Sequence, residues 1–379
     1  MLKMIPIYLP ILKAKPGEFE AISQLSKRTA DKTLPFFEIS RMGEKIREAK
    51  RFKNSDAVTC KYLDEIAQKI SDVWSGRAAL IDAYQWPAHS TTESGEHILT
   101  YIYAELKSLG VDVIPVIGYD RWDSKPYRLA MQGCKVDKDD YVCLRLDSHA
   151  IEDSAEPEFF EEQILNILND LSLEPERCGV LIDFGEVFSS PLEDLVDKAN
   201  GIIDLLRGRG FKFFCTAGCS LPTSIDKAVK KNNSTGNIMR KEMLLWQTMR
   251  KEYPKLNWLF SDYGIRGPNM VEDVIAQHAN GKIRYATALS YFIARGHSMK
   301  LGNKGAQMYE LANIIVESPC YMGKDFSWGD FRILECSREK FRGNSTQWIG
   351  IDTNHHITWI IAEVTEFEIS HIISASMAT

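Results

Sequence analysis

Cys178-Gly-Val-Leu-Ile-Asp-Phe-Gly185 is a nearly continuous apolar run that reaches a carboxylate at Asp183, and a helix-like stretch opens at Pro191 behind it. A run this short, rich in Val, Ile and Leu, reads as a strand buried on both faces. Seven other runs share its form. Ile5–Lys13, Pro35–Ser40, Ala78–Tyr84, Val111–Tyr119 and Tyr141–Asp147 precede it, and Phe211–Gly218 and Leu256–Gly264 follow. Each is followed by helix-like sequence. Strand then helix, eight times over, predicts an α/β fold of the closed (β/α)8 barrel type. An open doubly wound sheet is the rival, but no Gly-rich phosphate loop follows the first run.

The helical stretches support the alternation. Phe19, Ile22 and Leu25 line one face of the first. Residues 94–109 follow Ser94 as N-cap and stop at Gly110; residues 158–171 place Phe160, Ile164, Ile167 and Leu168 together. The stripe from Leu195 to Leu206 ends at Gly208 and Gly210, and 238–252 repeats the pattern. Two helices, 41–50 and 58–75, are expected after the second strand. The barrel is placed at 1–270. Residues 271–379 read as a mixed α+β extension packed on it: largely helical over 285–317 with a break at 296–305, then short strands at 331–336, 346–351 and 357–364.

Bulk properties narrow the function. The chain has 379 residues, 44% of them hydrophobic, and a net charge of −6. That is enough for a barrel of about 250 residues and a further module. A mildly acidic chain is not built for general adhesion to nucleic acid or anionic membrane. The basic residues gathered in 227–255 read as a charged outer helix face. Eight cysteines are scattered without a CxxC pair, as reduced thiols of a cytoplasmic protein would be. No run is long enough to span a membrane, and Pro6 and Pro10 argue for a strand at the N-terminus over a signal peptide.

A barrel keeps its chemistry at the carboxyl ends of its strands. Those ends read Lys13, Glu38, Asp82, Asp120, Arg145 with Asp147, Asp183, Thr216, and Asp262 with Tyr263. Crowded carboxylates must be protonated, paired or metal-bound. Polar residues also end strands because strands end at solvent, and an Asp there caps the next helix. Arg145 and Asp147, two apart, are expected to face the same way as an ion pair. Ser220 and Gly264, with Gly218 and Arg266, lie in the loops after the last two strands, where barrels often bind phosphate. His355 and His356 invite a metal or acid/base reading; on a strand they would face opposite sides. Trp86 and Trp122 would form a ligand platform or cover apolar edges. The segments 326–330 and 343–348 read as turns, either a lid or joints.

Several of these stretches resemble the Beta protein family of phages, satellite phages and bacterial genomes. They are Leu12-Lys-Ala-Lys-Pro-Gly-Glu18, Phe37-Glu-Ile39, Leu181-Ile-Asp183, Arg240-Lys-Glu242 with Trp246, Ser261-Asp-Tyr-Gly264, Phe326-Ser-Trp-Gly-Asp330, and Trp348 with Asn354-His-His356. Ser220-Leu-Pro222 departs from it, lacking an aromatic between the serine and the proline. The resemblance implies a phage-related accessory role, including protection of the host against other phages. It implies no reaction, but it favours a role for Lys13, Glu38, Asp183, Asp262 and His355 or His356.

The leading expectation is a defence enzyme that hydrolyses a phosphate-containing substrate, with a divalent metal (Mg²⁺ or Mn²⁺) or by acid/base catalysis. Asp147, Asp183 and Asp262 would act as acid and base, or Asp183 and Asp262 would hold the metal. Lys13 and Arg145 would stabilise negative charge, with Glu38 beside them. Asp82, Ser220, Tyr263, Gly264, Arg266, His355 and His356 would bind. One rival is a non-catalytic scaffold that senses a phage component or holds a partner toxin from the same locus. Another is a glycosidase using two barrel carboxylates.

Overall fold

The computed structural model describes residues 6–134, 140–268 and 280–377. The expected strand start at Ile5 and the expected boundary between 270 and 271 lie outside them. Eight parallel strands close a barrel: β1 (Tyr8–Leu12), β2 (Phe36–Glu38), β3 (Ala78–Asp82), β4 (Asp112–Gly118), β5 (Val142–Leu146), β6 (Cys178–Glu186), β7 (Phe213–Cys219) and β9 (Trp258–Asp262). Closure is made where Tyr8 pairs with Phe260 and Leu9 with Ser261. Every expected run overlaps one of these strands, β6 and β7 each reaching one residue beyond it.

Alternation along the strands sorts their side chains into two layers. Leu9, Ile11, Phe36, Leu80, Val116, Cys143, Leu181, Cys215 and Leu259 belong to one buried cluster, the barrel interior. Tyr8, Leu12, Phe37, Ile81, Leu144, Ile182, Phe214 and Phe260 belong to another, shared with the helices. Those helices are α1 (Pro16–Ser23), α2 (Lys27–Asp31), α3 (Glu44–Arg47), α4 (Val58–Trp74), α5 (Ile98–Ser108), α6 (Lys125–Gly133), α7 (Ser148–Asp153), α8 (Pro157–Asp170), α9 (Leu192–Leu206) and α10 (Lys241–Glu252). The N-cap of α5 is His97, not Ser94; its ring accepts from the Leu99 amide at 3.2 Å.

The C-terminal part differs from the sequence expectation. Residues 285–317 are not mainly helical: β10 (Asn280–Thr287) and β11 (Ser290–Ser298) form a hairpin before α11 (Gln307–Glu317). Its tight turn holds Leu289 at φ 53°, a left-handed conformation that bulky residues rarely take, so no Asn-Gly signal marks it. The expected strands at 331–336, 346–351 and 357–364 are helices instead, α12 (Trp328–Ser337) and the 33-residue α13 (Ser345–Met377). Residues 238 and 239 end a strand, β8 (Ser234–Met239), that leaves the β7–α10 connection to pair antiparallel with β11. The loop after the seventh barrel strand therefore completes the sheet β10-β11-β8. One face of that sheet packs on α11, α12 and α13 through Ile283, Tyr285 and Ala294. The other, with Ile238, Tyr291 and Ile293, packs on the end of the barrel.

Candidate functional site

The inward set at the strand ends is Lys13, Glu38, Asp82, Arg145, Asp183 and Tyr263, one step above the apolar interior. Arg145 is its centre and is wholly buried. It lies 2.7 Å from Glu38, 2.8 Å from Asp82 and 2.6 Å from Asp183, and donates to the Tyr263 hydroxyl at 2.9 Å. Tyr263 donates to Asp183 at 2.6 Å. Lys13 pairs with Glu38, and Arg121 with Asp82 at 2.7 Å. Tyr84 covers the Arg145 guanidinium, its ring centroid 4.0 Å away. Three carboxylates thus face three cations. Burial alone would raise the Asp82 carboxyl, but Arg121 and Arg145 outweigh it and hold it below the usual range.

The predicted Arg145–Asp147 ion pair is not formed. Arg145 is consumed by Glu38, Asp82 and Asp183, and Asp147 sits past the strand end as N-cap of α7, accepting from the Ala150 amide. Its other oxygen lies 2.9 Å from Nδ1 of the exposed His149, and that bond raises the imidazole pKa. Asp120 stands beside this rim, half-buried. Burial raises its carboxyl; Arg121 opposes this, while Asp147 and Asp82 add to it.

Asp262 belongs elsewhere. It shares the parity of Tyr8 and Phe260 and faces outward, toward α13. Tyr8 donates to it at 2.6 Å, the Gly264 amide at 2.9 Å, and His356 Nε2 lies at 2.8 Å. Burial raises the Asp262 carboxyl, but His356 and Tyr8 hold it lower than usual. Next to it, Glu242 receives the Ser220 hydroxyl and, at 3.3 Å, that of Tyr291. Burial and the Asp262 charge push Glu242 up to about 7, against Arg240. Arg240 pairs with Glu363 at 2.7 Å; among the described residues its Nε and Nη2 have no partner, and neither does the buried His356 Nδ1.

Among the candidates, then, Lys13, Glu38, Asp82, Arg145, Asp183 and Tyr263 converge, while Asp147 is at their rim. Ser220, Gly264, Asp262 and His356 form a second cluster. His355 joins neither, because α13 turns it toward Asp330 at 2.9 Å, where it stacks on Tyr285. Asp330 also accepts from Ser327, the N-cap of α12, so the 326–330 segment is a joint. Arg266 is half-buried, and its Nε has no partner among the described residues. Asp183 and Asp262 do not meet as metal ligands, since each is engaged in a separate network. No group of three or more His, Cys, Asp or Glu is placed to hold a metal among the described residues. Trp86 and Trp122 are buried and cover edges rather than forming a platform.

Sequence reasoning gave no role to Arg121, His149, Arg240, Glu242, Tyr8 or Tyr291. Two signals were present. Asp147-Ser-His149 brings an imidazole within reach of a strand-end carboxylate. Arg240-Lys-Glu242 sets charges at the start of a helix whose first turn is buried.

The family model described as Beta protein matches residues 8–362. No curated protein matches the chain. Among solved structures, a GH18 chitinase from Pseudoalteromonas aurantia aligns at 14% identity and TM-score 0.36, over 59% of this chain and 98% of that one. Among the described residues no helix is long and apolar enough to cross a membrane.

Proposed function

This chain belongs to the Beta protein family, and from that premise we propose that it is a host-protecting barrel enzyme of phage-related loci, hydrolysing a phosphate-containing substrate at its charged strand ends. One observation carries the reading: Lys13, Glu38, Asp82, Arg121 and Asp183 are buried together around Arg145 at the end of the barrel where chemistry is housed. Desolvating a charge costs several kcal/mol, and apolar residues would fill the same space at no loss of stability. A cluster this costly is better explained by work than by support. Arg145, Arg121 and Lys13 would stabilise charge developing on phosphate oxygens. Proton transfer would fall to the rim: the exposed His149, held by the buried Asp147, and the half-buried Asp120.

The test is phosphate release from a panel of nucleotides and oligonucleotides, alongside a plaque assay in cells carrying the intact locus. Wild type should turn over a substrate and protect. Asp183→Asn and Asp147→Asn, verified as folded by their melting, should do neither. No turnover on any substrate, with protection intact in both variants, sinks the enzyme reading.

A scaffold that holds a phage component or partner toxin is the second reading. It is favoured by the fact that each core ion of the network already has a protein partner. Protection that survives Asp147→Asn and His149→Ala would point to it.

A further inference from the structure

On the sheet built from β8, β10 and β11, Lys282 is the cross-strand partner of Arg295, and Arg284 lies two residues beyond Lys282. Cross-strand partners share a face, and so do residues two apart. Three cations therefore stand on one side of a small sheet. That side is the one turned toward the barrel: Arg284 donates to the Ile265 carbonyl at 3.1 Å, and Arg295 to the Lys230 carbonyl at 2.9 Å. Those carbonyls belong to the connections after β9 and β7.

The charges do not balance. Asp352 pairs with Arg284 at 2.9 Å. Among the described residues neither Lys282 nor Arg295 has a carboxylate within ion-pair range, and Arg295 Nε has no partner at all. Asp226, the other carboxylate nearby, is exposed and bonded to Ser224. Lys282 is half-buried; burial, then Arg284 and Arg295, push its amine down to about 8. Like charges set opposite each other on adjacent strands are destabilising. This arrangement contrasts with the Arg145 network, where each cation is answered. Two cations without a carboxylate, beside a third already paired with Asp352, and with Lys282 partly open to solvent next to the barrel loops that commonly bind phosphate, call for an anion.

We propose that Lys282, Arg284 and Arg295 form a subsite that holds a phosphate group of the substrate other than the one that reacts at the strand ends, a task expected of Ser220 and Gly264. Those two residues are already bonded to Glu242 and Asp262. The subsite rests on the reading of a phosphate-containing substrate.

The test is calorimetric titration of the full chain with inorganic phosphate and pyrophosphate, for wild type, Lys282→Gln and the exposed control Lys231→Gln. Wild type and control should bind alike, and Lys282→Gln should bind about tenfold or more weakly. In phosphate-free buffer Lys282→Gln should melt no lower than wild type, because a like-charge contact is relieved. Equal binding by Lys282→Gln, no binding by wild type, or a lower melting point without phosphate would each overturn the subsite. Binding with no turnover would leave the subsite standing and remove the hydrolytic reading. Turnover without phosphate binding would do the reverse.

Discussion

Around Arg145, three carboxylates meet three cations; around Asp262, two carboxylates meet a histidine and one arginine that is already shared with Glu363. Both clusters are buried at the same end of the barrel and use the same residue types. The difference in partner supply separates their chemistry. Asp82 is held below its ordinary range by Arg121 and Arg145, so its carboxylate is ionised at neutral pH. Glu242 is pushed up to about 7 and takes a proton near neutrality. A buried acid is thus fixed or titratable according to whether a cation answers it.

The strongest way to break the comparison is Arg145→Met. It would leave Glu38, Asp82 and Asp183 without their shared cation, and breaking a buried ion pair costs about 3–5 kcal/mol. Urea denaturation should show a loss of that size. A loss below about 1 kcal/mol would mean that the network is not held by Arg145.

The pH dependence sharpens it. A folded Glu242 with a raised pKa binds its proton more tightly than the unfolded chain does. Its contribution is therefore full below the ordinary value of 4.5 and is lost as pH rises toward about 7. Glu242→Gln should remove that decline, so its stability relative to wild type should increase by about 3 kcal/mol across the window. The Arg145 network behaves oppositely. Asp82 has a depressed pKa, so its contribution is present above 3.8 and is lost only as pH falls below it. Denaturation at a series of pH values for both proteins checks the sign; parallel curves for wild type and Glu242→Gln would erase the distinction.

The smallest effect belongs to the rim. The Asp147 hydrogen bond raises the His149 pKa, so the pair's contribution is present at low pH and fades as pH rises through the His149 titration. His149 is exposed, so screening keeps the effect on stability under about 1 kcal/mol. Asp147→Asn should return the imidazole to its ordinary titration, as followed by NMR. An unchanged titration midpoint would show that the two groups do not interact in solution.

Part of the two-cluster arrangement was legible in the sequence. Period-two alternation groups Asp183 with Leu181 along β6 and Asp262 with Phe260 along β9. Which of these residues faces the barrel interior and which the helices is visible only in the folded barrel, so the two aspartates read as equivalent strand ends. What alternation does not supply is the partner. Tyr8, His356 and Glu242 come from distant parts of the chain, and only closure of the barrel against α13 brings them to Asp262 and its neighbour.

The sequence by itself determined the barrel, because eight short runs buried on both faces need no long-range information to be recognised as strands. It also determined the charge at the strand ends. Tertiary structure alone decided the C-terminal third. Residues 357–364 carry the β-branched density of a strand, but Ile357, Ile360, Ile361 and Val364 are buried in a helix that packs against α1, α12 and β10. Those four buried positions keep the i, i+3, i+4, i+7 spacing of a one-faced helix, but Thr358, Trp359 and Ala362 put β-branched, aromatic and apolar residues on its other faces, so the period does not stand out from the run. The β10–β11 turn carries no glycine, and β8 finds its partner more than fifty residues away. Such pairings are set by which backbone groups remain unpaired once the rest has folded, and no local pattern records them.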